Sequence, residues 1–121
     1  MPRKLVLTSC VAIGCIVALA GAAYAQSFPT RQISLIVGFP PGGGTDGPTR
    51  IIADRMRASL NVPVLVENRP GGQQMVAIRA VQAAPPDGYM LLIGTGSSLA
   101  QNPSLNPAIG YDPLRDFTLI A

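Results

Sequence analysis

Histidine and tryptophan are missing from this chain of 121 residues, and its cysteines, Cys10 and Cys15, both lie near the start. Without histidine, the usual general base and the commonest metal ligand are unavailable. The serines therefore have no imidazole partner with which to form a nucleophile–base pair of the usual kind. Aromatic residues make up 5% of the chain and charged residues 12%, and no basic run with interleaved rings occurs, so nucleic acid has no electrostatic footprint here. Internal repeats and low-complexity tracts are absent as well. No G-K-[ST] follows the glycine cluster, which removes the phosphate-loop motif.

What is present begins with an export signal. Arg3 and Lys4 precede an uncharged apolar stretch from Leu5 to Ala20, and Ala23-Tyr24-Ala25 forms an A-x-A cleavage site before Gln26. Residues 1–25 read as a signal peptide. An uncleaved anchor would need about 20 apolar residues, more than this run offers. Leu7-Thr8-Ser9-Cys10 has the outline of a lipoprotein box, but a cut before Cys10 would leave the apolar stretch on the wrong side of it. Removing the leader removes both cysteines, which excludes disulfides, thiolate chemistry and cysteine-based metal sites from residues 26–121. Those residues suffice for one small domain at most. Their charges nearly balance: Arg31, Arg50, Arg55, Arg57, Arg69, Arg79 and Arg115 against Asp46, Asp54, Glu67, Asp87, Asp112 and Asp116.

The stretch ISLIVGFPPGGGTD, residues 33–46, organises the remainder. Ile33 to Gly38 is a short apolar run that reads as a buried strand. Pro40 and Pro41 end it, since neither donates a ladder hydrogen bond. Gly42, Gly43 and Gly44 leave bare backbone, and Thr45 and Asp46 are good N-cap residues for a helix that follows. A strand, a bare turn and a helix N-terminus together suit an anion, because N–H groups and the helix dipole favour negative charge there. An ordinary tight βα turn has the same local pattern.

Further along, Arg50 to Leu60 is expected to be helical, with Ile52, Met56 and Leu60 on one face and Asn61 as the stop. Val62 to Val66 reads as a second strand, ending in turn residues from Glu67 to Gly72. Gln73 to Ala84 forms a helix with a small-residue face, and Pro85-Pro86-Asp87-Gly88 stops it. Tyr89 to Ile93 is a third strand, apolar throughout as if covered on both faces. A second bare turn, Gly94-Thr95-Gly96-Ser97-Ser98, follows, then a short helix from Leu99 to Asn102 and a loop to Pro113. Phe117 to Ala121 opens as a further strand. This β-α-β-α-β order with short connections implies an α/β fold with a parallel sheet and right-handed crossovers. Ligands of such sheets sit outside the carboxyl ends of the strands, where both bare turns and the segment after Glu67 lie.

Gly42, Gly44 and Gly47 also satisfy G-x-G-x-x-G, with Glu67 about 20 residues on, the dinucleotide fingerprint of a Rossmann-type oxidoreductase. Against this alternative, Phe39-Pro40-Pro41 separates strand from glycine, Pro48 follows the third glycine, and export removes the chain from cytoplasmic nicotinamides. Asp46 and Glu67 could be imagined as an acid–base pair, but capping and turn roles explain both. No enzymatic activity and no cofactor or metal is expected.

Several stretches resemble the periplasmic solute receptors of tripartite tricarboxylate transporters, the Bug receptors: FPTRQISLIVGFPPGGGTD, VPVLVENRPG, PPDGYMLLIGTGSSLAQNPSL and YDPLRDF, in this order. The resemblance covers nearly all of the chain after the leader. It implies a two-lobed, type II-like periplasmic binding protein that holds a small organic carboxylate between its lobes and passes it to the membrane subunits of the transporter. It also implies that ligand-binding positions are Phe39, Pro41, Gly42, Gly43, Gly44, Thr45 and Asp46, with Thr95, Gly96, Ser97 and Ser98. Where the family continues a glycine-rich turn with Gly-Gly-Asn and a later Gly, this chain has Gln73-Gln74-Met75 and Ala77, and that loop contributes no expected ligand residue. Residues 26–121 match the N-terminal part of one lobe, as expected either of a truncated or split reading frame or of a fragment of a longer protein.

The leader predicts an N-terminus at Gln26 in mass spectra of periplasmic material; intact Met1 on a membrane-bound species would refute cleavage. Residues 26–121 in isolation are expected to fold poorly and to bind weakly, since one wall cannot enclose a ligand. A cooperative melt together with micromolar binding by that piece would overturn this.

Overall fold

The computed structural model describes residues 28–120. The signal peptide expected over residues 1–25, with its cleavage site, lies outside the described residues. Three parallel strands form the sheet: β1 (Ile33–Val37), β2 (Val64–Asn68) and β3 (Met90–Ile93), in the spatial order β2-β1-β3. α1 (Asp46–Leu60) connects β1 to β2, and α2 (Met75–Gln82) connects β2 to β3. A π-helical turn at Ser97–Gln101 runs into α3 (Asn102–Leu105), and α4 (Pro113–Asp116) ends the regular structure. Among the described residues no helix is long and apolar enough to cross a membrane.

The central position of β1 explains its sequence. Ile33, Leu35, Ile36 and Val37 are all buried, because helices cover both faces of the strand. Ile33 and Leu35 join Ala53 of α1 and Val64 of β2 in one core cluster, with Met56, Leu60, Val66 and Leu91 packed around it. Ile36, of opposite parity, lies on the face where α2 packs, and Ala77 and Ile78 there are equally buried. Each large apolar side chain among these contributes about 1.5–3 kcal/mol through burial.

Some expected boundaries and faces shift. The inward stripe of α1 runs Thr49, Ala53, Met56 and Leu60, whereas Ile52 is 49% exposed. Thr49 and Ala53 are buried on the inward face, and Ile52, one residue round the helix, is turned towards solvent. Asn61 does end α1, in the left-handed conformation (φ 54°), its N–H donating to the Arg57 carbonyl at 3.0 Å. β2 extends to Asn68, so Glu67 and Asn68 belong to the strand rather than to a turn. β3 is only half-buried because it stands at the edge of this sheet. The segment from Asn102 to Pro113 is not all loop, since α3 occupies its first turn. Phe117 to Ile120 forms no strand.

Register positions the functional edge. Val37 pairs with Asn68 on one side and with Ile93 on the other, so the three carboxyl ends lie abreast. Three loops therefore emerge side by side, at residues 38–45, 69–74 and 94–96.

Asp46 fastens the first of these loops. Its side chain makes no cap to the helix, and neither does that of Thr45. Instead the carboxylate, 4% exposed as a residue, accepts from the Gly42 N–H (2.9 Å), from Arg50 Nε and Nη2 (3.0 Å each) and from Asn68 Nδ2 (2.9 Å). Asn68 Nδ2 also reaches the Phe39 carbonyl at 3.0 Å. One carboxylate thereby ties the glycine turn, the first turn of α1 and the end of β2. The Arg50 guanidinium, the Gly42 N–H and the Asn68 amide hold its pKa well below the ordinary 3.8.

The folded pKa is depressed, so this stabilisation is complete above the unfolded value of 3.8 and is lost as pH falls through the lower folded value. The urea midpoint of the mature protein should fall as pH is lowered from 5 into the acid range. Asp46→Asn should lower the midpoint at pH 7 and flatten part of that acid limb, leaving the share due to Glu67 and Asp116, whose pKa values are also lowered. An acid limb unchanged by the substitution would refute the role given to Asp46.

Candidate functional site

Among the shallow hollows of the described surface, two lie at opposite ends of the sheet. One, of about 380 Å³, lies at the amino end of the strands beside Arg31, Ser34, Asp87 and Tyr89. Its charged groups are spent on each other: Arg31 Nη2 donates to Asp87 Oδ2 at 2.7 Å, and its guanidinium stacks 3.8 Å from the Tyr89 ring centroid. The other, of about 400 Å³, lies at the carboxyl edge and is lined by Gly38, Phe39, Pro40, Pro70, Gly71, Gln73, Gln74, Ser97 and Asn102. The second is where parallel sheets bind ligands, and it is framed by the first two loops and by the helical turn that follows the third.

The first loop is largely self-satisfied. Gly42 N–H goes to Asp46, Gly43 N–H to the Pro40 carbonyl (3.3 Å) and Asp46 N–H to the Gly43 carbonyl (3.0 Å). The N–H groups of Gly44 and Thr45 find no acceptor among the described residues, and they stand at the positive end of the 15-residue α1. Gly42 takes φ 79°, which favours glycine where the turn closes on Asp46.

The third loop is similarly internal at two of its hydroxyls. Ser98, 1% exposed, accepts from the Thr95 N–H at 2.9 Å and donates to the Thr95 carbonyl at 3.1 Å. Thr95 Oγ1 donates to Gln74 Oε1 at 3.2 Å. Tyr111 holds the loop from beneath: its buried phenol donates to the Ser98 carbonyl at 2.6 Å, and burial raises its pKa. Phe117 packs edge-on against the Tyr111 ring at 6.5 Å. The N–H groups of Gly96 and Ser97 find no acceptor among the described residues, and the Ser97 hydroxyl donates to Gln101 Oε1 at 3.1 Å.

The second loop contributes although no ligand residue is expected of it. Gly71, Gly72, Gln73 and Gln74 all have positive φ (128°, 52°, 55° and 74°), which carries the chain tightly over the sheet end. Gln73 and Gln74 stand where glycine would be unstrained, and an L residue in this conformation costs about 1–2 kcal/mol. Gln74 lies over Gly38, where an added Cβ would come within 2.7 Å of the Gln74 Cβ and Cγ. Asn102 Nδ2 donates to the Gln73 carbonyl at 3.0 Å and so joins the second loop to the segment after the third. The sequence signal for this loop is the Gly71-Gly72 pair after β2; left-handed glutamines leave no mark in composition.

Of the expected ligand residues, Phe39 and Ser97 line the carboxyl-edge hollow. Pro41, Gly42, Gly43, Gly44, Thr45, Asp46, Thr95, Gly96 and Ser98 do not line it, although all belong to the two segments that border it. Asp46 and Ser98 act within the scaffold. Gln74, Gln73, Gly38 and Asn102 enter the hollow although the sequence pattern does not single them out.

The hollow contains no ionisable side chain. The nearby cations are paired, Arg50 with Asp46 and Arg69 with Glu67 (2.8 Å), so the site offers neutral donors. Glu67 is held below the usual carboxylate range by Arg69 and the Ser34 hydroxyl. Among the described residues no group of three or more His, Cys, Asp or Glu could hold a metal ion. The dinucleotide alternative meets a further obstacle: the Asp46 carboxylate occupies the Gly42 N–H where a pyrophosphate would need it. Gly47 is inside α1 rather than in the turn.

The receptors of tripartite tricarboxylate transporters match residues 49–121. Protein BugT of Bordetella pertussis is 40% identical over 113 residues, covering 90% of this chain and 35% of BugT. MatC of Rhodopseudomonas palustris, solved with bound malate, is 35% identical with a TM-score of 0.71, over 75% of this chain and 31% of MatC. Rpa4515 of R. palustris, solved with adipate, is 38% identical with a TM-score of 0.67, over 72% of this chain and 29% of that protein. The chain thus spans about a third of the length of these relatives. Family match, sequence identity and shared α/β topology agree, and the chain belongs to the tripartite tricarboxylate transporter receptor family, whose members are periplasmic binding proteins.

Proposed function

We propose that this protein captures a small organic carboxylate at the carboxyl edge of its sheet, without catalysis, and delivers it to the membrane subunits of a tripartite tricarboxylate-type transporter. The observation that carries this reading is the edge itself: the abreast loops leave the N–H groups of Gly44, Thr45, Gly96 and Ser97 without acceptors among the described residues. A carboxylate can accept several such N–H groups at once, and the N-terminal end of α1 favours its charge. No base and nucleophile are paired among the described residues of the edge, so nothing there would transform the ligand. The malate and adipate bound by MatC and Rpa4515 support a carboxylate as the class.

In this reading the first and third loops form one wall, with Phe39, Pro41, Gly42, Gly43, Gly44, Thr45 and Asp46 shaping one side and Thr95, Gly96, Ser97 and Ser98 the other. In a receptor of the relatives' length, the facing wall belongs to a second lobe. Enclosure between lobes removes most of a small ligand from water, which gives the affinity that an open edge lacks. Residues 1–25 direct the chain to the periplasm and are then removed.

Thermal-shift and calorimetric titration of the mature gene product with malate, adipate and related dicarboxylates tests the reading. One of these acids should stabilise the protein by about 2.7 kcal/mol when present at 100 times its Kd. Binding of NAD(H) with indifference to every carboxylate in the panel would overturn the reading in favour of a dinucleotide site.

A further inference from the structure

Among the described residues, Gln74 brings to the carboxyl-edge hollow a side chain that is both buried and incompletely used. The residue is 5% exposed and lines the hollow. Its Oε1 accepts from Thr95 Oγ1 at 3.2 Å, and its Nε2 finds no acceptor among the described residues. An amide is planar, so anchoring Oε1 on Thr95 fixes the plane in which both N–H bonds of Nε2 lie. Nε2 is not among the fully buried unpartnered atoms, so it reaches the surface of the hollow, where a water or a ligand can accept from it.

The backbone reinforces this placement. Gln74 is held at φ 74°, next to Gln73 at 55°, both in the region that L residues rarely adopt. Strain of this kind persists only where the surroundings impose it, and it clusters at ligand sites. Here the surroundings are specific. Gly38 has no Cβ, which lets the Gln74 stem lie directly over the end of β1, and Asn102 pins the Gln73 carbonyl. The result is a rigid neutral donor.

From this we infer that Gln74 is a specificity-determining residue, whose Nε2 donates to the carboxylate of the bound ligand while Thr95 fixes the orientation of the amide. The inference rests on the carboxylate-binding reading and deepens it: the ligand anion is recognised by a neutral amide, with no cation lining the hollow. Thr95 is a positioning residue that acts through Gln74.

The test uses the mature gene product with malate and adipate as probes. Gln74→Met, similar in length but lacking the donor, should weaken binding of the preferred probe about ten- to hundredfold, the range for a hydrogen bond to a charged group. Gln74→Glu keeps an acceptor for Thr95 but places a carboxylate opposite the ligand, and should weaken binding at least as much at pH 7.5. The wild-type hollow is lined by no ionisable side chain. The ratio of variant to wild-type Kd should therefore fall towards one as pH is lowered to 5 and the introduced carboxyl gains a donor proton. Thr95→Val should produce a smaller loss. In the wild type, the Gln74 Nε2 proton resonances should shift on titration, a readout that needs no variant to fold. If the wild type binds a probe but these resonances stay unmoved and both Gln74 variants bind equally well, the inference fails while the carboxylate reading stands. If the wild type is indifferent to these probes and to every other carboxylate of the panel while binding NAD(H), both fall.

Discussion

The carboxylate of Asp46 is the interaction on which the working edge depends. It accepts from a turn, a helix and a strand end at once, through Gly42, Arg50 and Asn68. A free acid at this place would repel an anionic ligand. Paired with Arg50 and occupied further by Gly42 and Asn68, it instead shapes the loop from below. The glycine turn is held by a charge that is almost wholly buried.

The same economy governs the other two loops. Ser98 and Thr95 spend their hydroxyls on the third loop and on Gln74, and Tyr111 fastens that loop from a segment that follows it. Gln74 in turn covers Gly38 and so joins the second loop to the end of β1. What remains for a ligand is a set of N–H groups on rigid backbone together with the Gln74 amide. Donors of this kind discriminate by geometry rather than by charge, as the proposed capture of a small carboxylate would require.

The strand of residues 33–37, the glycine turn, the helix ending at Asn61 and the parallel order were all legible, because each depends on local chemistry: a continuous apolar run, bare backbone, a left-handed stop and short connections. Faces were less legible. By hydrophobicity Ile52 is the natural inward residue of the first helix, yet Thr49 and Ala53 are buried and Ile52 is half-exposed. Hydrophobicity alone does not fix which side of a helix meets the sheet.

The sequence by itself determined the fold class and the edge at which the bare turns gather, since periodicity and turn chemistry act within a few residues of each other, and its longer motifs carried the resemblance to the family. Only the tertiary structure decided which groups at that edge are spent and which are free. Asp46 and Asn68 are 22 residues apart, and Thr95 and Gln74 are 21 apart. Parallel register brings these pairs to hydrogen-bonding distance, and a hydrogen bond between loops leaves no mark in the local pattern of either one.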